Sequence, residues 1–160
     1  MKAHAARRVL ADCSLAHRML EDERDVDRWR VVWVGAVALI RAVGHVLDKV
    51  DGSEPKLRTA SRAAFARWKD GGSDSIFTEF IDAERNTILK EYGFRTDLEA
   101  DVPVVVEHDE CAEWFSLDEN LFRPMVDGYG AGEDARDVYL EAIKWWERQL
   151  AEIERQSAVK

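Results

Sequence analysis

Two polar constellations in this 160-residue chain have the residue types and spacing to act on a phosphate. The first is the run Glu84-Arg85-Asn86-Thr87-Ile88-Leu89-Lys90-Glu91-Tyr92. On a helix, Arg85, Ile88, Leu89 and Tyr92 share a narrow sector, so Arg85 and Asn86 stand one or two turns from Lys90 and Tyr92. A guanidinium, an amide and an ammonium beside a phenol could together hold an anion. Helix chemistry alone favours a plainer reading, a surface salt-bridge array ending in a core tyrosine. The second constellation is Arg41, His45 and Asp48, whose offsets of four and three place them on one face of a mostly apolar helix. Buried polar groups are costly unless paired, which favours an internal hydrogen-bond network around His45. The functional alternative has this strip facing Arg85 and Asn86 across the fold, completing a polar pocket to which His45 adds an imidazole.

Other candidates carry weaker signals. Lys56, Arg58, Arg62, Arg67 and Lys69, with Phe65 and Trp68 interleaved, could track a nucleic-acid backbone. A solvated face around core aromatics explains the same stripe. Cys13 with His17, and His108-Asp109-Glu110-Cys111, are short of the roughly four ligands that a zinc site requires. No Walker loop, Rossmann glycine pattern or G-x-S-x-G elbow is present. No metal or cofactor is expected.

The elements that must position these groups read as helices. Ala6, Leu10, Cys13 and Leu20 recur on one face of a first helix, over about residues 3–20. Asp25-Val26-Asp27 opens a second, in which Trp29, Trp33, Ala36, Ile40, Val43, Leu47 and Val50 form a bundle seam. Pro55 starts a third helix, through about Lys69. A fourth runs from Ser73 or Asp74 to Tyr92, with Phe77, Ile81, Ile88 and Tyr92 as its inner stripe. Residues 94–132 form an irregular acidic insert. Within it Val102–Val106 is β-prone but limited by Pro103 to an edge or extended segment, and a short helix is expected around Cys111–Phe115. A last helix covers about residues 133–155, with Tyr139, Ile143, Trp146, Leu150 and Ile153 on one stripe, and Ser157–Lys160 reads as a frayed end. The expected fold is all-α: a single domain with an antiparallel up-and-down four-helix core over about residues 3–93, the insert, and a fifth helix packed alongside.

Composition bounds the function classes. Hydrophobic residues are 46% and charged residues 34% of the chain, which excludes a disordered one. The longest apolar run, Val31–Ile40, stops at Arg41, short of the roughly 18–20 residues of a membrane span. No secretory h-region follows Met1, and two cysteines fit reduced thiols, so a cytoplasmic location and no membrane partner are expected. The net charge of −9 is uneven: residues 1–95 hold 17 basic and 15 acidic side chains, residues 96–160 hold 6 and 17. A polyanion would have to use the first part of the chain.

The run Arg85-Asn86-x-x-x-Lys90-x-Tyr92, closing a four-helix pattern, resembles the motif of the HEPN domains (higher eukaryotes and prokaryotes nucleotide-binding). Many of these are metal-independent ribonucleases of toxin–antitoxin and antiphage systems. Their motif has an arginine, a polar residue, then a histidine, sometimes followed by x-Tyr. Arg85, Asn86 and Tyr92 match; Lys90 stands in the histidine's place. The resemblance implies an up-and-down bundle, a homodimer whose motif arginines line one cleft, and binding of RNA, a nucleotide or a cognate protein. Free lysine titrates near 10.4, too high for a general base at neutral pH, and Glu84 and Glu91 on either side would raise it further. The motif therefore reads as degenerate, with Lys90 a fixed cation and Glu84, Asn86, Tyr92, Arg41 and Asp48 as ligand contacts. Two alternatives stand: an active metal-independent RNA endonuclease using Arg85 with Lys90 or His45, and a non-enzymatic interaction module docking its acidic insert on a basic partner. A small-molecule pocket lined by Trp29, Trp33 and Tyr92 is a further, weaker option.

Overall fold

The computed structural model describes residues 1–70, 72–100, 102–108, 111–117 and 122–158. The helices are α1 (His4–Asp22), α2 (Val26–Lys49), α3 (Pro55–Lys69), α4 (Ala83–Glu91) and α5 (Ala135–Ala158). A two-stranded antiparallel sheet, β1 (Val102–His108) with β2 (Cys111–Leu117), lies between α4 and α5. The chain is thus mostly helical but not all-α.

Each helix follows from local chemistry. Asp25 caps α2 by accepting the Arg28 amide at 2.9 Å. Pro55 opens α3 at a position where its missing N–H costs nothing. The α1 N-terminus has no cap of its own. Its free amides are instead met from distant residues: Ala5 and Ala6 donate to the Asp51 carboxylate at 3.1 and 2.8 Å, and Ala3 donates to Glu154 at 2.9 Å. The segment ahead of α4, Phe77–Asp82, winds as a wider π-helix and buries Phe77, Phe80 and Ile81.

The predicted seams of α1, α2 and α5 are buried, except that Val50 is exposed. α1 and α2, joined by three residues, pack closely against each other. An 18-residue window in the α2 region has a mean hydropathy of 1.7, enough by length and composition to cross a membrane. In the fold, that helix buries Trp29, Trp33, Ala36, Val37, Ile40, Val43 and Leu47.

α5 does not lie beside a finished bundle. It packs on both α1 and α3 and supplies the centre of the core. Tyr139 Oη donates to the Ala36 carbonyl at 2.9 Å, and Trp146 Nε1 donates to the Ile40 carbonyl at 3.0 Å, so both polar tips are satisfied on α2. Trp68, Trp145 and Trp146 meet edge to face with centroids 4.9–5.2 Å apart. Gly44 gives Trp146 its place on α2: a Cβ there would stand 3.1 Å from the indole.

Three expectations need correction. The expected helix at Cys111–Phe115 is strand β2, paired in the register Val104↔Phe115 and Val105↔Trp114. Tyr92 is not in the inner stripe. α4 ends one residue earlier, and Tyr92 takes a left-handed conformation (φ 49°) that turns it out to 61% exposure. Ser157 is buried within α5, its hydroxyl donating to the Glu154 carbonyl, rather than part of a frayed end; Val159 and Lys160 lie outside the described residues. The insert is also pinned at its base. The Asp97 amide donates to the Pro124 carbonyl, and the buried Arg123 donates to the Leu98 carbonyl while lying 5.5 Å from the Trp29 ring centroid.

Candidate functional site

The polar strip of α2 and one face of α3 line a common groove, to which the basic stripe of α3 contributes Arg62 and not Lys56, Arg58, Arg67 or Lys69. Arg41, His45, Asp48 and Lys49 from α2 and Ser61, Arg62, Phe65 and Trp68 from α3 line a space of about 410 Å³. Neither strip alone encloses anything. The packing of α2 against α3 makes them one site.

Arg41 is held on the α4 side of this groove. Its Nε lies 2.5 Å from Asp82 Oδ1, at the end of the π-helical segment, and its guanidinium stacks 5.6 Å from the Phe77 ring centroid. Wider helical turns are common at functional sites, and this one carries the carboxylate that orients Arg41. His45 is exposed. Partial desolvation and the charges of Arg41, Arg85 and Lys49 push its pKa below the ordinary imidazole value, against the opposing pull of Asp82. It is therefore neutral at pH 7 and able to accept a proton. Asp48 is held below the usual carboxylate range by its hydrogen bond to Lys49 (2.8 Å) and by the charges of Lys49, Arg62 and Arg58.

The α2 strip meets the segment ahead of α4 through one bond. Arg41, rather than His45, makes the bond to the α4 segment, while Arg85 comes within electrostatic reach of His45. Arg85, a half-buried residue, donates from Nη1 to Asn86 Oδ1 at 2.9 Å. With Arg41, Lys49, Arg62 and Arg85 set against Asp48 and Asp82, the area is net positive. Phe65, 38% exposed, and the buried Trp68 form an apolar wall. The arrangement suits an anion with an aromatic or planar part.

The other motif residues lie elsewhere. Lys90 is exposed, and five positions along a helix from Arg85 it faces another direction. Tyr92 packs edge to face on Phe94 at 5.1 Å and hydrogen-bonds Arg30, near the opposite end of α2 from His45. Glu84 points inward at 1% exposure. Burial raises its pKa, opposed by Arg95 and the Trp33 indole. A residue sealed in this way does not touch a ligand in the groove. Trp29 and Trp33 are stacked at 5.4 Å and fully buried, whereas Tyr92 is exposed, so the three are not brought together on one surface.

Compared with protein-family models, with curated proteins and with solved structures, the chain matches none. Sequence reasoning passed over Lys49, Ser61 and Asp82. Asp82 could have been found as the only acid within one turn of Arg85 on its N-terminal side, apart from Glu84. Among the described residues no group of three or more His, Cys, Asp or Glu could hold a metal. Cys13 is buried, and desolvation pushes its thiol up to about 11 against the opposing hydrogen bond with Tyr139, on which His17 also stacks. Asp109 and Glu110, of the other candidate cluster, lie outside the described residues.

Proposed function

We propose that this chain binds a phosphate-bearing ligand, a nucleotide or a short RNA segment, in the groove between α2 and α3, as a HEPN-like bundle with a degenerate ribonuclease motif. The observation that supports this reading is a groove lined by Arg41, Lys49 and Arg62 together with His45 and the ring of Phe65, with Arg85 within electrostatic reach of His45. Cations supply the phosphate contacts, and an exposed ring gives a base a surface to stack on. Lys90 takes no part, because it faces away from the groove. The same reading carries a homodimer, which sedimentation of the purified chain tests.

Fluorescence anisotropy with a labelled single-stranded RNA tests the binding. Arg62→Ala is expected to weaken it about tenfold and to reduce the salt slope by about one unit. Arg85→Ala should act in the same direction, and Lys90→Ala should leave binding unchanged. Equal affinity for wild type and Arg62→Ala would remove the groove from consideration.

One observation supports a second, catalytic reading. A neutral imidazole among guanidinium groups could take the proton of an RNA 2′-hydroxyl while Arg41 or Arg85 steadies the phosphate, with no metal ion. RNA cleavage lost in His45→Ala with binding retained would establish it. Intact RNA after long incubation with wild type would leave binding alone.

A further inference from the structure

The described residues of the β1–β2 hairpin are largely exposed. An isolated two-stranded sheet is at best marginally stable in water, and antiparallel strands with one wet face alternate apolar and polar residues. This hairpin does neither of the expected things. Among the described residues it has no third strand, and it carries apolar side chains on both faces. One face pairs Val105 with Trp114 and the other pairs Val104 with Phe115. Trp114 is 70% exposed, Phe115 51%, Val105 42% and Val106 41%. A continuous run such as Val104-Val105-Val106 is typical of strands covered on both sides.

Charge narrows what can cover it. From Asp97 to Glu119 the sequence has nine acidic residues and no lysine or arginine. Glu107 and Glu113 stand on the strands themselves. Nucleic acid and anionic lipid would be repelled. A second copy of the hairpin would bring two equally acidic segments together in an apolar contact, where like charges are costly. The remaining class is a cationic polypeptide. Among the described residues both strands have an open edge, which an extended segment can join by main-chain hydrogen bonds while its side chains meet the apolar faces and the acids.

We infer that the hairpin is the docking site for a basic protein segment, bound extended along the sheet edge with apolar residues against Trp114 and Phe115 and lysine or arginine against Glu107 and Glu113. This surface is separate from the cationic groove and independent of what fills it.

The test is a selection of random twelve-residue peptides on the purified full chain, followed by titration of the most enriched peptide, synthesised and labelled. The enriched peptides are expected to be net positive with alternating apolar positions. Trp114→Ser and the pair Glu107→Gln, Glu113→Gln should each weaken the synthesised peptide at least tenfold, whereas Arg62→Ala should not. Trp114→Ser should keep the wild-type Tm and oligomeric state, because the indole is outside the core. Failure to enrich any peptide, enrichment of neutral or acidic ones, or affinity unchanged in Trp114→Ser would overturn the inference. A change of oligomeric state in Trp114→Ser would also overturn it, by assigning the surface to self-association.

Discussion

Glu84 shows how one side chain can share a motif's spacing and none of its work. It sits next to Arg85, yet it is turned inward to 1% exposure, and burial raises its pKa above that of an exposed carboxyl. The sign of its effect on stability follows. In the folded state the group prefers its proton, so its contribution is fully present below the unfolded pKa and is lost as pH rises through the raised folded value. At neutral pH the ionised form is a burden on the core. Glu84→Gln keeps the shape and removes the charge. It is expected to raise Tm at pH 7 by roughly 2–4 °C, the shift that about 1 kcal/mol makes in a domain of this size. Thermal melts of the two proteins should converge below about pH 4, where both carry a neutral side chain. A lower Tm for the glutamine variant at pH 7 would mean that the carboxylate is held by groups other than Arg95 and Trp33.

Among the elements, α1 is the one whose start is defined by the rest of the chain. Asp51, in the turn after α2, accepts two of its first amides. Asp51→Ala should cost about 2 kcal/mol, typical of a charged cap, and lower Tm by roughly 4–8 °C. Circular dichroism through the melt measures this, and an unchanged Tm would show that water caps α1 equally well. That cap was not legible in the sequence, because Asp51 is far from His4 along the chain. The seams were legible, since Trp29 to Leu47 and Tyr139 to Ile153 repeat at helical spacing and are buried where that spacing puts them. Tyr92 broke the pattern because the last turn of α4 depends on a single residue's φ. The hairpin was obscured because apolar residues on both faces erase the alternation that marks a strand, and Pro103 argued against one. The site was half legible. Arg41, His45, Asp48 and the stripe through Arg62 each stood out, but their meeting in one groove is a matter of which helices pack together, and no local spacing encodes it.

Across the whole molecule, the first helix and the last are clasped by a single carboxylate. Glu154 takes the Arg7 guanidinium through both oxygens at 2.7 Å and accepts the Ala3 amide as well, joining residues 147 positions apart. The Arg7 hydrogen bond, then the Ala3 amide and the Arg7 charge, hold its pKa below the ordinary value against partial desolvation. A depressed carboxyl contributes stability that is present above the unfolded pKa and lost as pH falls through the folded one. Glu154→Gln should therefore lower Tm at pH 7, and the gap from wild type should narrow as pH falls below about 4.3 and close once Glu154 is protonated. Calorimetric scans from pH 7 to pH 3 would follow both proteins. A gap that stays constant over that range would mean the clasp works through shape and neutral hydrogen bonds. A gap that closes would make the charge on Glu154 the link between the chain's two ends. Because the raised Glu84 and the depressed Glu154 titrate on opposite sides of the free carboxylate value, the double variant's gap from wild type should change with pH as that of Glu84→Gln does above about 4.3 and as that of Glu154→Gln does below it.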